Sequence, residues 1–319
     1  MSDLQAAIRD RFQAAGRILV ASHVRPDGDA VGSLLGLGLA LQEAGKSVSL
    51  VLSDGLPDNF RHLPGSEQVR MQAEGAYDLI VSVDVSDLKR LGTALDGYRV
   101  PDVVIDHHIT TADFGGLNLI DPAAVATASV LARCLPGWGL KITPAVAANL
   151  LTGIVTDTLG FRTSNVTPEA LRQAADLLEL GADLSSLYFR SLVRRTFPAA
   201  KYWGAGLGSL QRSDGLLWAS LTLADRSASG YAGNDDADLI NVLSAIDDAD
   251  AALMFVEQGP DRVKVSWRGL KPDVDVAQIA RQFNGGGHKA ASGAELEGTL
   301  TEVQEKVLAA TRNALNHSR

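Results

Sequence analysis

Four short segments of this 319-residue chain bring carboxylates and imidazoles to the end of an apolar run. Ile18-Leu19-Val20-Ala21 leads to His23-Val24-Arg25-Pro26-Asp27-Gly28-Asp29, and Leu79-Ile80-Val81-Ser82-Val83 ends at Asp84. Val103-Val104-Ile105 precedes Asp106-His107-His108, and Gly153-Ile154-Val155-Thr156 leads to Asp157. Backbone freedom at Gly28 lets Asp27 and Asp29 turn toward one point. Several carboxylates within a few ångströms cannot all ionise without a compensating charge, and divalent cations supply it. There are more ligands than one tetrahedral ion needs, so two ions are expected. Mixed histidine and aspartate ligation suits Mn²⁺, with Mg²⁺, Co²⁺ or Zn²⁺ as substitutes. Two ions about 3.5–4 Å apart can clamp a phosphoryl group during in-line attack, so the implied chemistry is phosphoester hydrolysis. Taken singly, an Asp at a strand end is usually a helix cap or turn former, Asp27 and Asp29 are evenly balanced between the two readings, and a His-His pair after a strand is more often structural. The conjunction of four such sites on one inferred sheet edge favours the metal reading.

A second constellation lies near the C-terminus. Gly285-Gly286-Gly287-His288 exposes successive backbone N–H groups as an anion cradle, with His288 as a donor to phosphate; a flexible turn is the plainer alternative. Arg268, closing Val263-Lys264-Val265-Ser266-Trp267, reads as a phosphate clamp or as an exposed strand-end arginine. Trp267 then faces the other side of the strand, toward the core.

The elements that must position these groups follow from periodicity. Arg17–Ser22, Ser47–Leu52, Asp78–Asp84 and Val103–His107 read as continuously apolar strands, alternating with helices such as Ala30–Ala44, closed by Gly45. That alternation predicts an α/β, doubly wound, mainly parallel sheet, whose ligands gather at the carboxyl ends of the strands. Thr143-Pro144 opens a helix that carries Asp157 at its far end, and Thr167-Pro168 opens another that stops at Gly181. The arginine-bearing stretch 185–203 (Arg190, Arg194, Arg195) reads as a linker, either touching a phosphate backbone or presenting a solvated helix face. Beyond it, a strand at Leu216–Leu223, a helix at Asp236–Ala249, a hairpin across Gly259-Pro260-Asp261, a helix at Asp275–Phe283 and a last helix from about Glu302 predict a smaller mixed-sheet α/β domain. The expected division is 1–184, a linker at 185–203, and 204–319.

Bulk properties bound the function. Hydrophobic residues at 46% and charged residues at 21% describe a globular chain, and no apolar run reaches membrane-spanning length. A net charge of −9 argues against coating long nucleic acid, though not against a small phosphorylated substrate met by metal ions. The segment Met1–Phe12 reads as a charged helix and not a signal peptide. The one cysteine, Cys134, sits on an apolar helix face and suits a reducing cytoplasm. Of six histidines, only His62 and His317 fall outside the motifs.

Together these motifs resemble those of the DHH phosphoesterase superfamily, and Arg268 with Gly285-Gly286-Gly287-His288 resembles its associated C-terminal domain. The resemblance covers nearly the whole chain. Its length and layout are most similar to the nano-RNase and phosphoadenosine-phosphate phosphatase group. It implies that His23, Asp27 and Asp84 hold one ion and that Asp29, Asp84, His107 and Asp157 hold a second, with Asp84 shared. It places Asp106 as the support of a ligand histidine, and His108 toward the scissile phosphate. Arg268, the three glycines and His288 would hold the far end of a short substrate in the cleft between the domains. Family II inorganic pyrophosphatases lack the glycine-rich element, and RecJ exonucleases are longer. The stretch Asp157-Thr158-Leu159-Gly160-Phe161-Arg162 departs from the commoner Asp-Thr-Gly pattern, which bears on Gly160 and Arg162 and not on Asp157. The implied function is hydrolysis of short oligonucleotides to mononucleotides, with phosphoadenosine-phosphate phosphatase activity alongside; a homodimer is compatible with it. The alternatives are a cyclic di-AMP or pApA phosphodiesterase and a non-catalytic nucleotide-binding protein. The complete ligand set argues against the last.

Overall fold

A computed structural model describes residues 3–318, with side chains through Leu315; Met1, Ser2 and the side chain of His317 lie outside the described residues. The chain divides into two compact units, Met1–Arg194 and Arg195–Arg319. The first runs α1 (Asp3–Ala14), β1 (Arg17–Ala21), α2 (Gly28–Glu43), β2 (Ser47–Val51), β3 (Val69–Arg70), β4 (Leu79–Val83), β5 (Val103–Asp106) and β6 (Leu117–Ile120). It continues through α3 (Thr127–Cys134), α4 (Pro144–Asp157), α5 (Pro168–Glu179) and α6 (Leu184–Tyr188), the last passing into a π-helical turn at Phe189–Val193.

Its six strands pair in parallel in the order β3-β2-β1-β4-β5-β6. The chain builds outward from β1 to β3, then returns to lay β4 on the other side of β1. The switch point therefore falls between β1 and β4, where parallel sheets leave a crevice at their carboxyl ends. Strands β4 and β5 are buried along their whole length, as their continuous apolar runs require. Sequence periodicity misses β3 and β6. The first has two residues and the second is half-buried throughout, so neither presents an apolar run.

Helices α2 and α4 cross unusually closely, and that crossing shapes the site. A Cβ added at Gly32 would fall 2.5 Å from the Asn149 carbonyl oxygen, and one at Gly153 would fall 2.7 Å from Asp29 Oδ1. Hydrogen in place of a side chain at these positions lets two backbones approach until Asp29 on α2 and Asp157 on α4 share one pocket.

The second unit runs α7 (Phe197–Gly208), β7 (Gln211–Ser213), β8 (Leu216–Leu221), α8 (Leu223–Ser229), α9 (Leu239–Leu243), β9 (Ala251–Gly259) and β10 (Arg262–Gly269). It closes with α10 (Val276–Arg281), β11 (Gly286–His288), β12 (Ala291–Glu297) and α11 (Leu300–Ser318). The sheet order is β11-β12-β10-β9-β8-β7, mixed because β8 and β9 run parallel while the other pairs are antiparallel. Trp267 is fully buried, stacks on Phe283 and donates its indole N–H to Thr311 Oγ1 at 3.2 Å.

Stretch 185–203, read as a linker or a solvated helix face, holds α6, the π turn and α7, with the Thr196 hydroxyl capping α7. One expectation is corrected. The helix expected over Asp236–Ala249 shrinks to α9, because Ala237 and Asp238 both take left-handed backbone angles (φ 51° and 65°) and block an earlier start. No described helix is long and apolar enough to cross a membrane.

Gly32→Ala should lower unfolding stability by about 1–3 kcal/mol through overpacking, seen as a lower denaturant midpoint at unchanged slope. A midpoint equal to that of the parent protein would contradict the close crossing.

Candidate metal centre

The sheet and two helix ends together deliver the chemical groups. His23 follows β1, Asp84 follows β4, and Asp106-His107-His108 closes β5. Asp27 and Asp29 stand at the N-terminus of α2 and Asp157 at the C-terminus of α4, so helices and not strands deliver these three. The helix opened by Thr143-Pro144 carries Asp157 at its end, as expected, while the wider expectation of four sites on one sheet edge is met only by His23, Asp84 and Asp106-His107-His108. The Ser22 hydroxyl donates to the Val83 carbonyl at 2.7 Å, tying the ends of β1 and β4 together under the site.

Three overlapping groups result: His23/Asp27/Asp84, Asp29/His107/Asp157 and Asp84/His107/His108, each with its ligand atoms within 4.8 Å of one another. Asp84 belongs to two of them. It is buried and adopts a left-handed backbone (φ 58°), a cost that survives only where the surroundings fix it. Its amide donates to the Ile105 carbonyl at 2.9 Å. One carboxylate oxygen then lies 3.4 Å from His23 Nε2 and the other 3.8 Å from His107 Nε2.

Asp27 combines the two readings that its sequence leaves open. Oδ1 caps α2, accepting the Asp29 and Ala30 amides at 3.1 Å each, while Oδ2 stands 3.7 Å from His23 Nε2. Asp29 is busier. Its oxygens accept the Thr127 and Ala128 amides at 2.6 and 2.9 Å and the Ser33 hydroxyl at 3.1 Å. Those bonds use three of about four acceptor positions on a carboxylate. Asp29 thus caps α3 from another helix, since Ala126 at the helix start has no side chain to do so.

The two adjacent histidines separate by what their Nδ1 atoms meet. His107 Nδ1 lies 3.3 Å from the Ala124 carbonyl, turning Nε2 toward Asp157 (3.6 Å), Asp84 (3.8 Å) and Asp29 (3.9 Å). His108 Nδ1 lies 2.8 Å from Asp106 Oδ1. Asp106 therefore orients His108, the residue expected at the phosphate, and not the ligand histidine His107. To His107 it offers only an acceptor for the backbone amide at 2.8 Å. Asp106 is the last residue of β5, and the turn that follows brings the ring of His108, not that of His107, back to its carboxylate.

Charge balance tests whether cations fit. Burial, with Asp84, Asp157 and Asp27 close by, drives the Asp29 carboxyl well above its ordinary range. Burial together with Asp27 and Asp84 pushes Asp157 up to about 8. Against its own burial, His23 is raised to about 10 by Asp27 and Asp84. Against the crowding around it, Asp27 is held low by His23. His108 is raised despite burial, first by Asp106 and then by Asp84. The site thus lacks positive charge, and protons are drawn in where divalent cations fit.

Sequence reasoning missed Thr127. Fully buried, its hydroxyl donates to Asp84 Oδ1 at 3.0 Å and lies 3.4 Å from Asp106 Oδ1, joining the shared carboxylate to the support of His108. No spacing pattern marks it, since its partners lie 43 and 21 residues away. Arg90 was also missed: its carbonyl accepts the Val24 amide at 2.7 Å, and its guanidinium lies 3.1 Å from His23 Nδ1.

In the second unit, Arg268 is half-buried and donates to the Trp267 carbonyl and to Asn241 Oδ1 at 3.1 and 3.3 Å. Burial lowers its pKa, while Asp236 and Asp238 act in the opposite sense. The glycine run departs from the expected cradle of successive amides. The Gly285 N–H is taken by the Ala280 carbonyl at 2.9 Å, and Gly286–His288 form the edge strand β11 against β12. Successive strand amides point in opposite directions and cannot converge on one anion. Two of the glycines answer a backbone demand instead: a Cβ at Gly285 would fall 2.4 Å from the Gly293 carbonyl oxygen, and Gly287 holds φ 140°. His288 is exposed.

A parallel α/β unit with a histidine–aspartate cluster at its switch point has the layout of a phosphoesterase, and the chain belongs to the DHH family. The family's N-terminal domain matches residues 17–154, and the DHHA1 domain matches residues 226–317. A Thermus thermophilus protein described as the bifunctional oligoribonuclease and PAP phosphatase NrnA is 35% identical over 309 residues, 95% of this chain and 91% of that protein. Its Bacillus subtilis namesake is 27% identical over 88% of this chain and 89% of its own length. The crystal structure of an exopolyphosphatase-related protein from Bacteroides fragilis superposes with a TM-score of 0.87 at 26% identity, over 98% of this chain and 96% of that one.

Two predictions follow from the geometry. Between pH 3.8 and about 8 the folded, metal-free protein keeps a proton on Asp157 that the unfolded chain has lost, and His23 does the same between 6.5 and about 10. The native state then binds more protons, so its stability falls as pH rises through those windows; the low value of Asp27 acts oppositely and only in acid. The rise in Tm on adding Mn²⁺ should therefore be larger at pH 8.5 than at pH 6, whereas an equal rise at both would contradict the charge balance. Thr127→Val should weaken metal affinity roughly 10–100-fold by calorimetry, while Thr127→Ser retains it; equal losses would deny the hydroxyl its role.

Proposed function

We propose that this chain is a cytoplasmic, Mn²⁺-dependent phosphodiesterase that hydrolyses short oligonucleotides to mononucleotides and also removes the 3′-phosphate of 3′-phosphoadenosine 5′-phosphate. The observation that carries this reading is the cluster around Asp84, in which one buried carboxylate faces both His23 and His107. The activities named for the Thermus thermophilus and Bacillus subtilis relatives support the substrate class. A buried, unpaired Cys134 suits a reducing compartment.

His23, Asp27 and Asp84 would hold one ion, and Asp29, Asp84, His107 and Asp157 the second, with Asp84 between them. When bound, such ions supply Lewis acidity toward a phosphoryl oxygen and activate water. The protein's own groups do the rest. Asp106 fixes a proton on His108 Nδ1, which aims Nε2 away from it toward a phosphate oxygen, and Asp106 and Asp84 raise the pKa of the ring despite its burial, favouring the protonated donor. Asp29 is held in place by two amides of α3 and the Ser33 hydroxyl. Arg268 is the phosphate contact of the second unit, with His288 one strand further on, across Ala291 of β12.

Incubation of the purified protein with Mn²⁺ and a labelled dinucleotide should release mononucleotides, with Asp84→Ala inactive. Turnover of cyclic di-AMP well above that of a linear dinucleotide would reassign the substrate, and full activity in Asp84→Ala would refute the shared-carboxylate arrangement.

A further inference from the structure

The end of the first unit carries a surface that the metal chemistry does not use. Tyr188, Phe189 and Val193 are 40%, 54% and 47% exposed, and Arg190 and Arg194 are exposed among them. The segment Phe189–Val193 is a π-helical turn, a rare form often found at functional sites. The surface is tied to the metal-facing end of α4. The Tyr188 ring packs on Gly160, where an added Cβ would lie 2.3 Å from Cε2, and Gly160 follows Asp157 by three residues in a left-handed turn. Local charge runs against the protein's overall sign. Between Asp183 and Arg194, where the first unit ends, there is no acidic residue and there are two arginines, in a chain of net charge −9. Arg190 and Arg194 both direct their field at His62, which burial and these two guanidinium groups hold below its ordinary pKa, so the two arginines lie on one side.

We propose that Tyr188, Phe189, Arg190 and Arg194 form a subsite for a single-stranded oligonucleotide, the rings stacking on bases and the guanidinium groups meeting the phosphates between them. Aromatic faces interleaved with arginine suit a short single strand, because every base has a π face and every linkage a charge. A protein partner would need an acidic, apolar face; the oligonucleotide needs only its own chemistry. This deepens the proposed function and rests on it for the substrate class.

The test is calorimetric binding of penta-adenylate in EDTA, where turnover is absent, at several salt concentrations. Tyr188→Leu with Phe189→Ala should raise Kd roughly ten-fold or more. Arg190→Ser with Arg194→Ser should reduce the slope of log K against log salt by about 1.4, the value for two phosphate contacts on a single strand. With Mn²⁺, KM for a pentanucleotide should rise more than that for a dinucleotide. Unchanged Kd and salt slope in both variants, with parent-like Tm, would overturn the subsite. So would light scattering that shows the variants splitting a dimer while oligonucleotide affinity stays constant. Wild-type protein that binds penta-adenylate but never cleaves it would sink the proposed function and leave the subsite standing.

Discussion

Five aspartates and three histidines held within reach of one another are the constraint on which the first unit depends. Such a set is repulsive unless protons or cations balance it, and the structure shows the imbalance directly in the raised Asp29 and Asp157 carboxyls and the raised His23. Repulsion of that kind would spread the ligands apart on a pliable scaffold. Here three of the ligands are fixed by something that does not titrate: Asp27 by the start of α2, Asp29 by the start of α3, and Asp84 by a backbone bond to β5. Helix amides carry partial positive charge, so the same contacts that locate Asp27 and Asp29 also offset part of their charge.

The close crossing of α2 and α4 belongs to the same constraint. Ordinary helix pairs keep axes about 8–10 Å apart, the side chains filling the gap. At Gly32 and Gly153 that gap closes until a Cβ cannot fit, and the space beside Gly153 is taken by the carboxylate of Asp29. Glycine within a helix costs roughly 0.5–1 kcal/mol relative to alanine. The stability given up there is exchanged for a short distance between carboxylates, which suits two ions and serves no packing purpose of its own.

Much of this was legible in the sequence, for physical reasons. Continuously apolar strands buried on both faces announce themselves, so β1, β4 and β5 and the polar residues after them are readable in order. Edge strands are not: β3 and β6 lack an apolar signature. Loss of periodicity likewise hid α6 and α7, although Thr196 and Pro198 carry the ordinary marks of a helix start. Thr127 was invisible because a buried hydroxyl has no sequence pattern until its partners are known. The glycine run was legible as glycine but not as strand, since the same composition serves open amides and tight sheet packing. Only the contact with Gly293 distinguishes them.

Asp106-His107-His108 shows where sequence order and chemical role part. Adjacent histidines with the same intrinsic chemistry become different groups because each Nδ1 meets a different acceptor. A carbonyl beside Nδ1 turns Nε2 of His107 toward three carboxylates. A buried carboxylate instead favours the charged imidazolium at His108, whose pKa rises despite burial. An imidazolium is a poor ligand and a good donor. The division of labour is thus set one bond behind the rings, and exchanging the acceptors would exchange the roles.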